Sequence, residues 1–447
     1  MVKNKKDDFM PPQDMWKVNA NINFDIPLDD NDPRYVDTQK GRGEFSFNAL
    51  FTTLNVDVKR GELRNPRDKS YNLLCGHRGC GKSTELRRLS NYLHRDKLFF
   101  VVFLDSLAEL DVNNLHYPDL LLALANKLLQ ELTETAVKVD SEFVTNLSQW
   151  FSERILKSEK LKDFAAEVNA DIKMSLGVPF LAGLAAKLTN KIKTGATYKE
   201  EIRQVIKNSF SEFAFAFNQF ITAAESALRK AGKGNKLIFI IDGTDRLADD
   251  DSKRFFIKDV YQLQQIEANF IYCAPIHLLY EGNQVQQWFN HFTLPMIKIY
   301  SQKKSAEKYG DGFEVLRKIV YMRADKKLFE SEAIVDLMIE NSGGNPRDLL
   351  RLMLYALRGS DMERFKKADV EKAIHDLAMD YRRFLNIEDY DILYKIDSGE
   401  IVDGNSEQIR RLLYNLGILE YNSGWWRTHP VIRTLDGYIR SGNAAKK

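Results

Sequence analysis

The chain is poor in cysteine, balanced in charge and short of long apolar runs, and each shortage excludes something. Its three cysteines, Cys75, Cys80 and Cys273, show no metal-ligand spacing, so neither a disulfide framework nor a zinc site is expected. Basic and acidic residues number 65 and 63, a formal net charge of +2, and no global field favours nucleic acid. The apolar stretch Met174–Ala186, "MSLGVPFLAGLAA", falls short of the ~20 residues needed to cross a bilayer and reads as a hairpin or a buried helical turn. The N-terminus, "MVKNKKDDFMPPQD", has no apolar core of a signal peptide. These absences lead to the expectation of a cytoplasmic protein with reduced thiols and no membrane span.

What is present is globular. A chain of 447 residues, 44% hydrophobic and 29% charged, exceeds one compact domain. Residues 1–40 hold Pro11, Pro12 and Pro33 among many Asp and Asn with little periodicity, and are expected as a flexible N-terminal arm. Short, uniformly apolar runs follow at Tyr71–Cys75, Leu98–Leu104, Lys236–Ile241 and Asn269–Ala274, with a weaker fifth at Thr293–Ile299. Runs of this kind separated by helical stretches predict a mostly parallel sheet covered on both faces. Helical spacing appears at Pro118–Thr133 and Glu201–Lys230, between the second and third strands, and at 303–325, 330–341, 346–358 and 368–384. From about Ile387, a helix reaching Gly417 and a turn at Ser423–Gly424 have the pattern of a winged helix. The expected organisation is the arm at 1–40, an α/β core at 41–300 with a helical insertion at about 105–235, a helical lid at 301–385 and a winged-helix-like unit at 386–447. The segment 137–197 inside the insertion has no legible role.

One stretch carries chemistry. "GHRGCGKST" comprises Gly76, His77, Arg78, Gly79, Cys80, Gly81, Lys82, Ser83 and Thr84, and fits G-x-x-x-x-G-K-[ST] between a strand and a helix. Its glycines let successive N–H groups converge on phosphates, and the helix start adds unsatisfied N–H groups and a positive dipole end. Lys82 is expected to reach the β and γ oxygens and Ser83 to ligate Mg²⁺. Downstream, "KLIFIIDGTDRL" ends a strand at Asp242, placed to hold the metal through water. Asp245 is the candidate base by proximity.

These motifs resemble the AAA+-like division of P-loop ATPases, which insert a strand between the loop strand and the Asp strand. Members usually carry an acid directly after the metal-associated Asp; Gly243 stands there instead, so slow turnover is expected. "IIDGTDRL" resembles the D-x-x-D-R pattern of STAND signalling ATPases and of KAP ATPases. "GGNPRDLLRLML" resembles the G-x-P helix start that follows the core in these proteins. By that resemblance Pro346 packs near the adenine and Arg347 takes the place of a sensor arginine. "WRTHPVIRTLDGYI" resembles the segment whose histidine meets the β-phosphate of ADP, a role that falls to His429. The strand Asn269–Ala274 shows no polar sensor, Cys273 and His277 being poor substitutes.

The resemblance implies an ATP- and Mg²⁺-binding, slowly hydrolysing switch. Its ADP and ATP states would control homo-oligomerisation or engagement of a separate effector or sensor protein, plausible settings including antiphage defence. The alternative is an initiator- or loader-like ATPase that binds duplex DNA through Arg410, Arg411 and Arg427.

Overall fold

A computed structural model describes residues 9–29, 31–95, 97–171, 178–194, 198–302, 307–422 and 424–444. At its centre lie five parallel strands: β1 (Ser70–Gly76), β2 (Phe99–Asp105), β3 (Lys236–Asp242), β4 (Asn269–Pro275) and β5 (Asn290–Thr293). Their order across the sheet is β2-β3-β4-β1-β5, which sets the strand of the glycine loop between β4 and β5. The first four strands are buried almost throughout, which is why they read as unbroken apolar runs. One face, with Leu73, Val102, Phe239 and Tyr272, meets the insertion helices. The other, with Leu74, Val101, Ile240 and Cys273, meets Leu86, Leu89 and Leu93 of the helix Lys82–Arg95. The fold is that of a P-loop NTPase: a parallel α/β sheet with a helical insertion and a helical region after it.

The fifth strand lies earlier than Thr293–Ile299. It pairs with β1 from Asn290 to Thr293, and Pro295, which lacks an N–H, stands just beyond the ladder. The apolar segment that follows serves other parts of the chain. Leu294 N–H donates to Cys75 O (2.8 Å), Met296 N–H to Glu420 O (3.1 Å), Ile297 N–H to Gly344 O (3.3 Å) and Lys298 N–H to Gly41 O (2.8 Å). Residues 294–298 thus tie the sheet in turn to the C-terminal hairpin, the lid and the N-terminal segment.

The insertion is helical, with Tyr117–Glu134, Ser141–Trp150, Val178–Lys193, Lys199–Asn208 and Phe210–Lys230 as its main elements. The helix expected over Glu201–Lys230 is broken at Ser209, whose φ of −118° and ψ of 28° are not helical. Of the stretch Met174–Ala186, residues 174–177 lie outside the described ones. The remainder begins a helix that buries Leu181, Leu184 and Ala185. Among the described residues, no helix is long and apolar enough to cross a membrane.

Four helices after the core, Gly310–Tyr321, Glu332–Ser342, Pro346–Gly359 and Lys367–Arg382, share one apolar core with the C-terminal residues. Residues 303–306 of the first expected helix lie outside the described ones. The C-terminal unit has helices Ile387–Ser398, Glu407–Tyr414 and Asp436–Ala444. Between them is an antiparallel hairpin, β6 (Ile418–Glu420) with β7 (Trp426–Thr428). Leu416 adopts φ +65° where the helix turns into the hairpin.

The N-terminal segment departs from the expected flexible arm. Its helix Met15–Asn21 is capped by Asp14 and buries Met15 and Val18 in the lid core, and Asp325 N–H donates to Pro12 O. Its few apolar side chains carry no period because they serve the lid and cleft rather than a core of their own.

Candidate functional site

The glycine loop leaves β1, arches over and enters the helix Lys82–Arg95. Gly79 (φ +81°) and Gly81 (φ +107°) take backbone angles that side chains rarely adopt. A Cβ on Gly79 would stand 2.6 Å from both Arg347 Cβ and Asn345 Oδ1, so the lid rests directly on the loop. Asn345 fixes that contact twice. Its Oδ1 accepts from Arg347 N–H (3.0 Å), capping the helix Pro346–Gly359, while its Nδ2 donates to Arg78 O (3.1 Å). Asn345 was missed in the sequence, where an Asn before a helix-starting Pro was its one signal.

Lys82 is buried with its ammonium fully partnered. Nζ donates to Gly76 O and His77 O, each at 2.8 Å, and pairs with Asp245 Oδ2 at 2.8 Å. Burial pulls the pKa of the ammonium down, and the opposing charge of Asp245, with Cys80 and Cys273, leaves the net shift upward. Burial likewise pushes Asp245 up, and Lys82 overrides it to hold the carboxyl below its ordinary range. Beside this pair, Ser83 Oγ donates to Asp242 Oδ1 at 2.9 Å. Burial, then the charge of Asp245, raises Asp242 to about 6.

Hard oxygen donors of this kind suit Mg²⁺, which keeps several waters and draws other ligands from phosphates. Among the described residues, no group of three or more His, Cys, Asp or Glu could hold a metal without such help. Ser83 and Asp242, bonded to each other at 2.9 Å, are the oxygen donors at the loop that could hold such an ion.

A cleft with about 1000 Å³ of empty space, part of it open to solvent, lies over the loop. Arg78 through Glu85 form its floor, together with Asp245 and Arg246, and Pro346, Arg347 and Leu350 of the lid form one wall. The opposite wall, missed in the sequence, is the N-terminal segment with Phe24, Asp25, Leu28, Tyr35 and Val36. Leu28 N–H donates to Thr84 Oγ1 (3.3 Å). Arg42, fully buried, donates to Cys80 O (2.5 Å) and to Pro295 O. Arg347 has an unpartnered buried Nε, and burial, then Arg246, lowers its pKa.

The loop, Asp242, Asp245, Pro346 and Arg347 are thus brought together. His429 is not. It is buried with Nε2 3.2 Å from Asp348 Oδ2 and its ring stacked on Tyr381 at 4.3 Å, outside the residues that line the cleft. His77 also lies off the lining, its ring turned into the C-terminal unit. Cys273 and His277 are buried and do not reach the cleft either. Gly243 adopts φ +85°, and a Cβ there would meet Leu107 Cγ at 3.0 Å, so its backbone disfavours the acid that the ATPase resemblance expects at that place.

No family model matches the sequence, and no curated protein matches it. Several solved structures are similar to the chain at low sequence identity. They include a Walker-type ATPase of Pyrococcus abyssi (15% identity, 92% of this chain and 98% of that one, TM-score 0.38). Cdc6p from Pyrobaculum aerophilum follows at 10% identity, covering 92% of this chain and 99% of that one, with TM-score 0.36. The Thermotoga maritima RuvB Holliday junction branch migration motor has 11% identity, 92% and 98% coverage, and TM-score 0.34.

Proposed function

We propose that the chain is a nucleotide-dependent switch that binds ATP and Mg²⁺ in the cleft over Gly76–Thr84 and hydrolyses ATP slowly. The carrying observation is the convergence of Lys82, Ser83 and Asp245 on the floor of a cleft walled by the lid and the N-terminal segment, with Asp242 bonded to Ser83 beneath it. Loop and helix-start N–H groups and Lys82 bind the phosphates. Ser83 and Asp242 hold the ion, which supplies charge neutralisation on the phosphate oxygens. Asp245, released from Lys82 as the phosphates take over the ammonium, accepts a proton from the attacking water. Arg347 and Pro346 reach the nucleotide from the lid. With no acid at Gly243 and Asp245 committed to Lys82 at rest, turnover is slow.

A slow ATPase fits a switch better than a motor. Occupancy moves the lid and the C-terminal unit, read here as a winged helix, and changes the surface offered to a second copy or to an effector or sensor protein in the cytoplasm. Antiphage defence is the setting that the STAND-like motifs suggest. The DNA-loading alternative has less support, because Arg410, Arg411 and Arg427 are paired with Glu281 (2.8 Å), Asp389 (2.6 Å) and Asp397 (3.0 Å).

Mass photometry with ADP, with ATP, and with ATP on Lys82→Ala, alongside turnover, tests the switch. A new oligomer formed with ATP and lost in Lys82→Ala is expected. One oligomeric state in every nucleotide, with brisk hydrolysis on adding duplex DNA, would overturn it.

A further inference from the structure

The second residue of the phosphate loop points its side chain away from the cleft. His77 is 1% exposed and lies inside the C-terminal unit, more than 330 residues away in sequence. Both ring nitrogens are used there. Nδ1 lies 3.2 Å from Leu413 O, an acceptor only, so Nδ1 carries the proton and donates. Nε2 accepts from Glu420 N–H at 2.8 Å. These two partners end the helix Glu407–Tyr414 and the strand β6, the elements on either side of the turn at Leu416.

The neighbouring loop residues are held as well, Arg78 by the C-terminal unit and Gly79 by the lid. Arg78 stacks its guanidinium 4.2 Å above the Tyr414 ring and donates to the Tyr414 hydroxyl. Arg347 N–H donates to Gly79 O at 3.4 Å. On the cleft side of the same peptides, the carbonyls of Gly76 and His77 hold Lys82 Nζ. One residue therefore faces both ways: the ring of His77 grips the C-terminal unit while its carbonyl positions the ammonium.

We propose that His77 is a positioning residue through which docking of the C-terminal unit shapes the phosphate loop, so that nucleotide binding and docking strengthen each other. The coupling rests on the nucleotide reading above. A docked unit holds the His77 peptide with its carbonyl toward Lys82 and keeps the ammonium at the mouth of the loop. A unit that lifts away releases that peptide and lets Lys82 drift. Because coupling between two binding events is reciprocal, phosphates that stabilise the ordered loop also stabilise the docked unit. A partner that pulls on the unit would then eject the nucleotide.

The test measures ATP·Mg²⁺ affinity by calorimetry and hydrogen exchange over residues 407–428, on the full chain with and without nucleotide. In the wild type, ATP·Mg²⁺ is expected to slow exchange over 407–428 several-fold. His77→Phe keeps a flat aromatic ring and removes both hydrogen bonds. It should weaken ATP binding roughly tenfold, within the ~5–150-fold range of coupled sites, and abolish the protection. His77→Gln, whose amide both donates and accepts, should restore part of each. Tyr414→Leu, which loosens the same unit through Arg78, should act in the same direction. If His77→Phe, or His77→Leu should His77→Phe not fold, binds and protects like the wild type, the coupling through His77 is overturned. It is also overturned if ATP binds the wild type without changing exchange over 407–428. A wild type that binds no nucleotide at all would instead sink the nucleotide reading, and the coupling with it.

Discussion

Lys82 and Asp245 neutralise each other out of water, 2.8 Å apart, with side chains 2% and 11% exposed. On the proposed nucleotide reading, an incoming triphosphate would have to take the ammonium from the carboxylate, so the pair would both preserve the site and compete with its ligand. Asp245→Asn keeps the shape and removes the competing charge. ATP is expected to bind at least as tightly, while turnover falls by ~10²–10⁴-fold, the usual contribution of a general base. A nucleotide titration with steady-state hydrolysis decides it, and unchanged turnover would clear Asp245 of the role. In the absence of nucleotide, Asp245→Ala strands a buried ammonium and should cost ~3–5 kcal/mol of stability in chemical denaturation.

The histidine that joins the loop to the C-terminal unit sets an acid limit. Burial, then the charge of Lys82, drives His77 down to about 3 from an ordinary 6.5. In the folded protein the ring is neutral, whereas the unfolded chain protonates it below 6.5. Its contribution is fully present above pH 6.5 and is lost as pH falls from there toward 3, at a slope of up to ~1.4 kcal/mol per pH unit. Stability of His77→Phe measured from pH 7 to 4 should fall less steeply than that of the wild type by about this amount. Parallel slopes would mean that the histidine titrates freely.

Two glycines with similar backbone angles should tolerate alanine very differently. Gly344 (φ +77°) sits where a Cβ would come 1.8 Å from Ile297 O, at the seam between lid and core. Gly399 (φ +80°) has nothing within 4 Å of the same atom. Gly399→Ala is expected to cost ~1 kcal/mol from the backbone alone. Gly344→Ala adds a steric penalty of another ~1–3 kcal/mol and separates the lid from the loop, so it should also weaken ATP binding. Equal midpoints in thermal unfolding would contradict the close approach.

The parts legible in the sequence were those whose residues answer to one environment. The strands around Leu73, Val102, Phe239 and Tyr272 are apolar because both faces of the sheet are covered. The pairing of the loop with Asp242 was legible because a strand–glycine loop–helix and a strand-end carboxylate on the same sheet must meet, and Ser83 Oγ does donate to Asp242 Oδ1 at 2.9 Å. Residues that answer to distant partners were not legible. Phe24 and Val36 follow no period because they wall a cleft, and Arg42 is buried to reach the carbonyl of Cys80. Thr293–Ile299 looked like a strand, yet its N–H groups are divided among four parts of the chain. Nothing in "GHRGCGKST" says which way its histidine points, since only the fold brings Leu413 and Glu420 beside it.

Arg410 and Arg411 decide whether the C-terminal unit offers duplex DNA a basic helix. Arg410 Nε lies 2.8 Å from Glu281, which also meets Lys253 at 3.1 Å. Arg411 Nη2 contacts both oxygens of Asp389, a fully buried carboxylate, at 2.6 and 2.7 Å, and Nη1 donates to Phe384 O. A guanidinium engaged in this way is not free to neutralise a phosphate, and releasing it would strand the carboxylate. Arg411→Ala should therefore lower stability by ~1–3 kcal/mol, the cost of a buried acceptor that loses its partner. Asp389 would keep its bonds to Asn386 N–H and Gln408, both 2.7 Å, which limits the loss. The Arg410/Arg411 double alanine variant should not differ from wild type in fluorescence anisotropy with labelled duplex, at low or physiological salt. A wild-type affinity that falls steeply with salt and drops in the double variant would show that the ion pairs open on DNA. The winged-helix-like unit would then be the DNA-facing part of the chain.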